Sequence, residues 1–465
     1  MFAILGIGMA ALWYETNTLS SIHRVPVVTP PAPRESKMAI AFREWSGRHE
    51  LEGALIGFSL FDQSGQVLFE SPLANTSLCP ASSFKTLTTG AALNVLGLDF
   101  RFETTLAGTA AIDSTGTLPG DLVLVGSGDP TFSQDDLNEL ADAVVAAGLK
   151  NVTGRLIIDA SVFPQNPMSE HWAWGDIGNG YGAGAYGLNL DHNQFPVRFE
   201  PGTQVGTPAA LLDQLPVCQG TEINNYVTTG AEDSGDQVII YSEPYGRTIT
   251  LRGTVPLGHS GFKVNAADPD PPAYAAELLR ARLEAAGVTF AANPTAESKS
   301  ERTILARHQS IPLPEIVDHL HRVSDNLEAQ CLFLTLGNKQ KMPPAEASRE
   351  YWQNATVAFT NLRLLDGNGL ARANMIRPHD LARVNYVARH SAAGDRFYQS
   401  LSSYLNGNVR AKVGSMSGVK TQVGFLRTSQ GRELTFAMMA NGLNVGREYW
   451  QWHEEFLETL RTMEF

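Results

Sequence analysis

The sequence predicts an α/β (α+β) fold in which an antiparallel sheet is flanked by helices, and in which this one domain is split by a long insertion. Three observations predict it. Helical and strand patterns of the same kind stand at both ends of the chain, and between about residues 99 and 298 the texture changes to short strands and Gly-rich loops. In addition, 465 residues exceed what a single hydrophobic core usually serves. Hydrophobic residues at 43% and charged ones at 18% are an ordinary globular mixture, so the chain can bury a core. A net charge of −13 with no Lys/Arg run excludes broad nucleic-acid or anionic-membrane binding, which needs a concentrated basic surface.

The elements follow in order. Phe2 to Trp13 is apolar but about half of the roughly 20 residues that span a bilayer, so no stable membrane span is expected. It is like the apolar core of an export signal, without the cationic start or a clear cleavage site. With Pro26, Pro30, Pro31 and Pro33 after it, residues 1–35 read as an export-signal-like segment and a Pro-rich linker. Met38 to Arg48 has helical character, and Ala54 to Phe69 alternates around Asp62-Gln63-Ser64-Gly65 as a hairpin. Ala81 to Leu96 is a helix with Pro80 and Ser82 at its start and Gly97 at its stop. Inside the insertion only Tyr274 to Ala286 reads as a strong helix. Helices return at Leu313–Val323, Leu327–Leu336, Glu346–Leu364 and Pro378–Arg389. A strand pair, Gln422–Arg427 and Glu433–Ala440, and a last helix, Tyr449–Met463, close the chain. Cys79, Cys218 and Cys331 are too few and too scattered for a disulfide framework or a cysteine zinc site; one disulfide at most is available.

Chemistry enters at Ser82 and Lys85. Three residues apart on a helix, they share a face, and an amine one turn away can take the proton that makes a serine hydroxyl a poor nucleophile. A helix start also favours negative charge on Ser82. The tetrapeptide Ser-x-x-Lys is weak by itself: Ser260/Lys263 and Ser417/Lys420 repeat it, but neither of those pairs opens a helix. Ser324-Asp325-Asn326 lies between two amphipathic helices and can aim Ser324 and Asn326 into a cleft, one to relay a proton and one to bind an amide; taken alone it is as readily a helix N-cap. Lys412-Val413-Gly414-Ser415 reads as the start of a strand. Gly414 would let a substrate backbone come close, the Ser415 N–H can face a developing oxyanion, and Lys412 adds positive charge. What distinguishes the chain is the ordered set of all three, the signature of class A β-lactamases and penicillin-binding proteins.

The chain resembles the class C low-molecular-mass penicillin-binding proteins, serine D-alanyl-D-alanine carboxypeptidases and endopeptidases with a large insertion after the first motif. The likeness is carried by Pro80-Ala81-Ser82-Ser83-Phe84-Lys85, Gly126-Ser127-Gly128-Asp129-Pro130-Thr131, Ser324-Asp325-Asn326-Leu327, Asp366-Gly367-Asn368-Gly369-Leu370 and Arg410 to Val419. The 242 residues separating Ser82 from Ser324 fit this family and are far more than a compact β-lactamase needs. The resemblance implies a penicillin-binding/β-lactamase-like transpeptidase domain (36–98 and 299–465), an inserted second domain (99–191 and 256–298) and a third nested within it (192–255). It implies that Ser82 forms the acyl-enzyme, that Lys85 is its base, that Ser324 and Lys412 relay a proton to the leaving amine, and that Asn326 holds the peptide amide. The N–H groups of Ser82 and Ser415 would form the oxyanion hole. Trp174-Gly175-Asp176 resembles the segment that recognises the diamino-acid side chain, with Met416 beside that pocket; Asp366-Gly367-Asn368-Gly369 reads as structural. Peptidoglycan stem peptides and β-lactam antibiotics are the implied partners, outside the cytoplasm in the periplasm or its equivalent, with no metal and no cofactor. No motif speaks to oligomeric state.

One departure stands out. The family's third motif has Thr where this chain has Val413, and that hydroxyl helps to bind the terminal carboxylate of the substrate. Losing a carboxylate partner costs about 1–3 kcal/mol, which weakens the carboxypeptidase expectation more than the acyl-serine one and tilts it toward endopeptidase or reduced activity. The alternative is a degenerate fold that binds peptidoglycan with little turnover. A Ser-His-Asp hydrolase is a second rival, but no Gly-x-Ser-x-Gly elbow is present, and histidines such as His192 and His319 read as surface or packing residues.

Overall fold

Residues 36–292 and 301–464 are described in a computed structural model of the chain; the export-signal-like segment and its Pro-rich linker lie outside them. The described segments before and after the insertion meet in one six-stranded antiparallel sheet. Its strand order is Ser402–Tyr404, Val409–Met416, Val419–Arg427, Glu433–Asn441, Leu55–Phe61, Val67–Glu70. The N-terminal hairpin is thereby zipped to the C-terminal one, Leu55 opposite Asn441 and Phe61 opposite Thr435. The central strands Val419–Arg427 and Glu433–Asn441 are buried on both faces. On one face Phe58, Leu60, Phe436 and Met438 pack against the helices Lys37–Ser46 and Glu448–Thr462. On the other, Phe61, Val423, Phe425 and Met439 meet the helical layer that carries the chemistry.

At the centre of that layer is the helix Lys85–Val95, whose residues from Lys85 to Leu93 are all buried. A helix enclosed on every side cannot leave polar side chains unpaired, and its threonines bond to nearby carbonyls: Thr89 Oγ1 to Lys85 O at 2.9 Å and Thr88 Oγ1 to Gly367 O at 2.6 Å. The helices Leu313–Val323, Asn326–Gln340, Pro344–Asn354 and Pro378–Arg389 surround it. The third of these stops at Asn354, ten residues short of the expected Leu364; the rest is irregular, and just beyond it Asp366 and Asn374 accept from the backbone N–H groups of Leu365, Gly369 and Ala371.

The insertion forms separate sheets. A four-stranded sheet (order Thr303–Gln309, Glu103–Gly108, Leu122–Val125, Leu156–Asp159) is covered by the helices Gln134–Ala146 and Pro271–Ala285. Two three-stranded sheets enclose Val197, Phe199, Ile249 and Leu251. Two segments differ from the sequence-based boundaries. Thr303–Gln309, expected on the catalytic side, pairs with Glu103–Gly108, and Phe262–Ala267, expected in the second domain, pairs with Gln194–Glu200 of the nested one. Strand pairing across such distances leaves no local mark in the chain. Cys79, Cys218 and Cys331 are all buried and free.

Candidate active site

Ser82 does not sit in the first turn of the α-helix, as its spacing suggested, but in a 3₁₀ turn, Ala81–Phe84, that runs into it. Ala81 has φ 46°, a costly angle for a residue with a side chain, and the turn is held from outside: Thr421 Oγ1 donates to Pro80 O at 2.6 Å and meets Ser83 Oγ at 3.0 Å. Gly414 lies against the same turn, where a Cβ would fall 2.7 Å from Pro80 O and from Ser83 N. Its smallness is therefore needed for the strand to reach the nucleophile's turn, and not only for a substrate to approach. Gly369, at φ +83°, packs onto Ala81 O in the same way.

Lys85 is fully buried, and its Nζ lies 2.9 Å from Ser82 Oγ, 2.5 Å from Asn326 Oδ1 and 2.7 Å from Asn368 O. Burial, with Lys412 nearby as a like charge, holds its pKa well below the ordinary lysine value. A neutral amine has two N–H bonds and one lone pair. With Asn326 Oδ1 and Asn368 O as fixed acceptors, the lone pair is left for the Ser82 hydroxyl.

Ser324 ends the helix Leu313–Val323 in the left-handed conformation, φ 63°. Asp325 then caps the next helix, accepting from Glu328 N at 2.8 Å, and Asn326 is its first residue. The helix-cap and active-site readings of this tripeptide are thus divided among its members: the middle residue caps and the outer two face the cleft. Lys412 Nζ donates to Ser324 Oγ at 2.8 Å and to Val413 O at 2.8 Å. Burial pushes its pKa down to about 7. Lys412 lies inside the strand Val409–Met416 and not at its start. The strand's outer neighbour, Ser402–Tyr404, pairs only as far as Ala411, so Lys412 to Met416 keep one backbone edge beyond that neighbour.

A cavity of about 380 Å³ joins the pieces, lined by Ser82, Asn326, Ser415, Met416 and, from the insertion, Asp176 and Tyr181. Of the residues singled out in the sequence, Ser82, Asn326, Ser415, Met416 and Asp176 line this cavity and Lys85 is hydrogen-bonded to two of them, whereas the Lys412–Ser324 pair and Gly414 are not among its lining residues. Three were missed. Tyr181 accepts from Asn326 Nδ2 through its carbonyl at 2.7 Å and donates its hydroxyl to Asp176 Oδ1 at 2.9 Å. Arg372 lines the cavity and donates to Ser417 O at 3.0 Å. Asn368 gives Lys85 its carbonyl, although its loop read as structural. That reading also has its part here, since Asp366 is a buried hub accepting from Gly369 N, Ala371 N, Asn374 Nδ2 and Trp172 Nε1. The only signal for Asn368 was its place between two glycines.

Residues 43–451 match the D-Ala-D-Ala carboxypeptidase 3 (S13) family. The chain belongs to this family. Among S13 and related relatives, it is 27% identical over 424 residues to the D-alanyl-D-alanine carboxypeptidase DacB of Haemophilus influenzae, covering 85% of this chain and 87% of that one. It is 30% identical over 435 residues to the D-alanyl-D-alanine carboxypeptidase of Actinomadura sp. (strain R39), covering 84% and 78%. The crystal structure of penicillin binding protein 4 (dacB) from Haemophilus influenzae superposes with a TM-score of 0.77 at 23% identity, over 92% of this chain and 98% of that one. The S13 fold thus extends over both the split sheet domain and its insertion.

Proposed function

We propose that this S13 protein is a serine-type D-Ala-D-Ala carboxypeptidase/endopeptidase that cleaves peptidoglycan stem peptides through an acyl-enzyme on Ser82. The observation that carries the proposal is the Ser82–Lys85 pair: 2.9 Å apart, with the lysine desolvated and its other two partners both acceptors. Lys85 takes the proton of Ser82 Oγ as Oγ attacks the carbonyl carbon of the penultimate D-Ala, and the oxyanion turns toward the N–H groups of Ser82 and Ser415. Collapse breaks the C–N bond; the leaving amine takes the hydroxyl proton of Ser324, which Lys412 polarises, and Ser324 is reprotonated by the proton that Lys85 took from Ser82, so that Lys85 is neutral again. Water then attacks the ester carbonyl and gives a proton to Lys85, which passes it to Ser82 Oγ as the acyl C–O bond breaks, freeing Ser82 and leaving Lys85 neutral. The unpaired edge from Lys412 to Met416 is suited to receive the substrate as an added strand. Asp176, with Met416 beside it, suits the ammonium of the diamino acid.

Two further observations support the reading. Relatives matched over most of their length are named D-alanyl-D-alanine carboxypeptidases, and the Haemophilus influenzae protein of the same fold has been solved with a β-lactam. The β-lactam ring presents the acylating carbonyl that Ser82 would attack. Since peptidoglycan lies outside the cytoplasm, the same reading places the protein there; no described helix is long and apolar enough to cross a membrane. The degenerate, binding-only alternative rests on Val413 alone and is not favoured, because the groups for acyl transfer stand in hydrogen-bonding order. Digestion of purified peptidoglycan with mass analysis of the products tests the proposal. Release of D-Ala marks carboxypeptidase action and scission of cross-linked dimers marks endopeptidase action; neither product from folded protein would refute both.

A further inference from the structure

Near the Ser324-Asp325-Asn326 loop, in a cavity other than the one Ser82 lines, three side chains converge that acyl transfer does not use. His192 comes from the insertion, His319 from the helix before Ser324 and Glu328 from the helix after Asn326. One donor atom of each lies within 4.8 Å of the others. They line a cavity of about 680 Å³. We propose that His192, His319 and Glu328 bind one divalent transition-metal cation, with zinc the best match, in a site that ties the insertion to both helices flanking the Ser-Asp-Asn loop.

The donor set is two imidazoles and a carboxylate, which suits zinc and excludes calcium and magnesium as preferred ions. The residues are also incompletely paired. Glu328 is 1% exposed, yet only its Oε1 is engaged, by His319 Nδ1 at 2.8 Å; the buried Oε2 has no partner. An ion pair between the two helices accounts for one oxygen and leaves the other buried without a partner, which is unfavourable. A bound cation would satisfy it. His192 Nδ1, also buried and without a hydrogen bond, faces Asp325 Oδ2 at 3.5 Å. That is the carboxylate–histidine relation that orients metal ligands: Asp325 would hold the proton on Nδ1 and leave Nε2 for the ion. The rings of His192 and His319 are 5.5 Å apart between centroids and tilted by 47°.

Donors around a tetrahedral zinc lie about 3.4 Å apart, given zinc–donor distances of about 2.1 Å. The three donor atoms lie within 4.8 Å of one another, so an ion among them requires the farthest pair to draw in by at most about 1.4 Å. The backbone at His192 is held for the purpose: Asp191, His192 and Asn193 all have φ between 50° and 56°, and Asn193 fixes the turn through Leu190 N at 2.9 Å and Gly184 O at 2.8 Å. The fourth position would open into the cavity and take water.

The test uses the full chain without an affinity tag, stripped by a chelator and titrated with zinc against a chromophoric competitor, and with cobalt(II) as a spectroscopic probe. The expected result is one equivalent bound, an intense tetrahedral cobalt spectrum and a melting temperature that rises with zinc. His192→Ala, His319→Ala and the isosteric Glu328→Gln should each weaken binding at least about 10-fold. Should a variant fail to fold by circular dichroism, the wild-type cobalt spectrum and the remaining variants decide. No saturable binding to the wild type at micromolar zinc, an octahedral cobalt spectrum, or unchanged affinity in the folded variants would overturn the proposal.

Discussion

Gly414→Ala is the sharpest perturbation of the active site because it adds one methyl group and removes no functional atom. At that position a Cβ would stand 2.7 Å from two backbone atoms of the nucleophile's turn, Pro80 O and Ser83 N, and would also press on Thr421 Oγ1. Ordinary contact begins at 3.4 Å, so strand and turn must separate by the difference, about 0.7 Å. The turn cannot yield freely, since Thr421 ties it to the neighbouring strand at 2.6 Å and Gly369 closes it from the other side. A displacement on the order of 1 Å between reacting groups costs about 10²-fold in rate, and the overpacking itself about 1–3 kcal/mol of stability. We expect the second-order rate of acylation by a fluorescent penicillin, followed by stopped flow, to fall by about 10²-fold while circular dichroism still shows a folded protein. Wild-type acylation by folded Gly414→Ala would refute the claim that the spacing between this strand and the Ser82 turn sets the reactivity of the serine.

Other predictions follow from the same geometry. Lys85→Ala should lower acylation by at least about 10²-fold at every pH, because among the described residues Lys85 is the side chain hydrogen-bonded to Ser82 Oγ; retained activity would revive a histidine-based mechanism. The pH dependence of kcat/KM should be a bell. Its rising limb follows the loss of the proton from Lys85, whose pKa burial and Lys412 depress, and its falling limb sets in near pH 7, where Lys412 loses the charge that polarises Ser324. A profile that stays flat through the alkaline range would refute the role of Lys412. Val413→Thr should raise kcat/KM on peptides ending in D-Ala-D-Ala by about 10-fold, the value of one recovered hydrogen bond to a charged group; an unchanged value would show that Ser415 or Arg372 already anchors the carboxylate.

Much of the fold was legible because its periodicities are local. Pro378–Arg389, with proline at its start and an unbroken helical pattern, begins and ends where the sequence places it. The three active-site motifs were legible for a different reason: each is short, and its chemistry depends on residue type more than on surroundings. What escaped was what only folding brings together. Asn368 acts through its carbonyl, which every residue has, so its approach to Lys85 has no side-chain signature. Tyr181 and Arg372 reach the cavity from distant segments, and Thr303–Gln309 joins the sheet of the insertion through pairing with residues some two hundred positions earlier. Gly414 was recognised as necessary but for an incomplete reason, since its clash partners Pro80 and Ser83 lie in another motif. His192 and His319 looked unremarkable because the glutamate that completes their cluster stands in a third segment of the chain.

The central claim is that Ser82, activated by Lys85, carries the acyl group. It is tested most directly by exposing the purified protein to a β-lactam, then mapping the adduct by intact-mass and peptide mass spectrometry beside a Ser82→Ala control. One covalent adduct per chain is expected, located on Ser82 and absent from the control. A folded wild-type protein with no adduct, or an adduct that persists in Ser82→Ala, would contradict it.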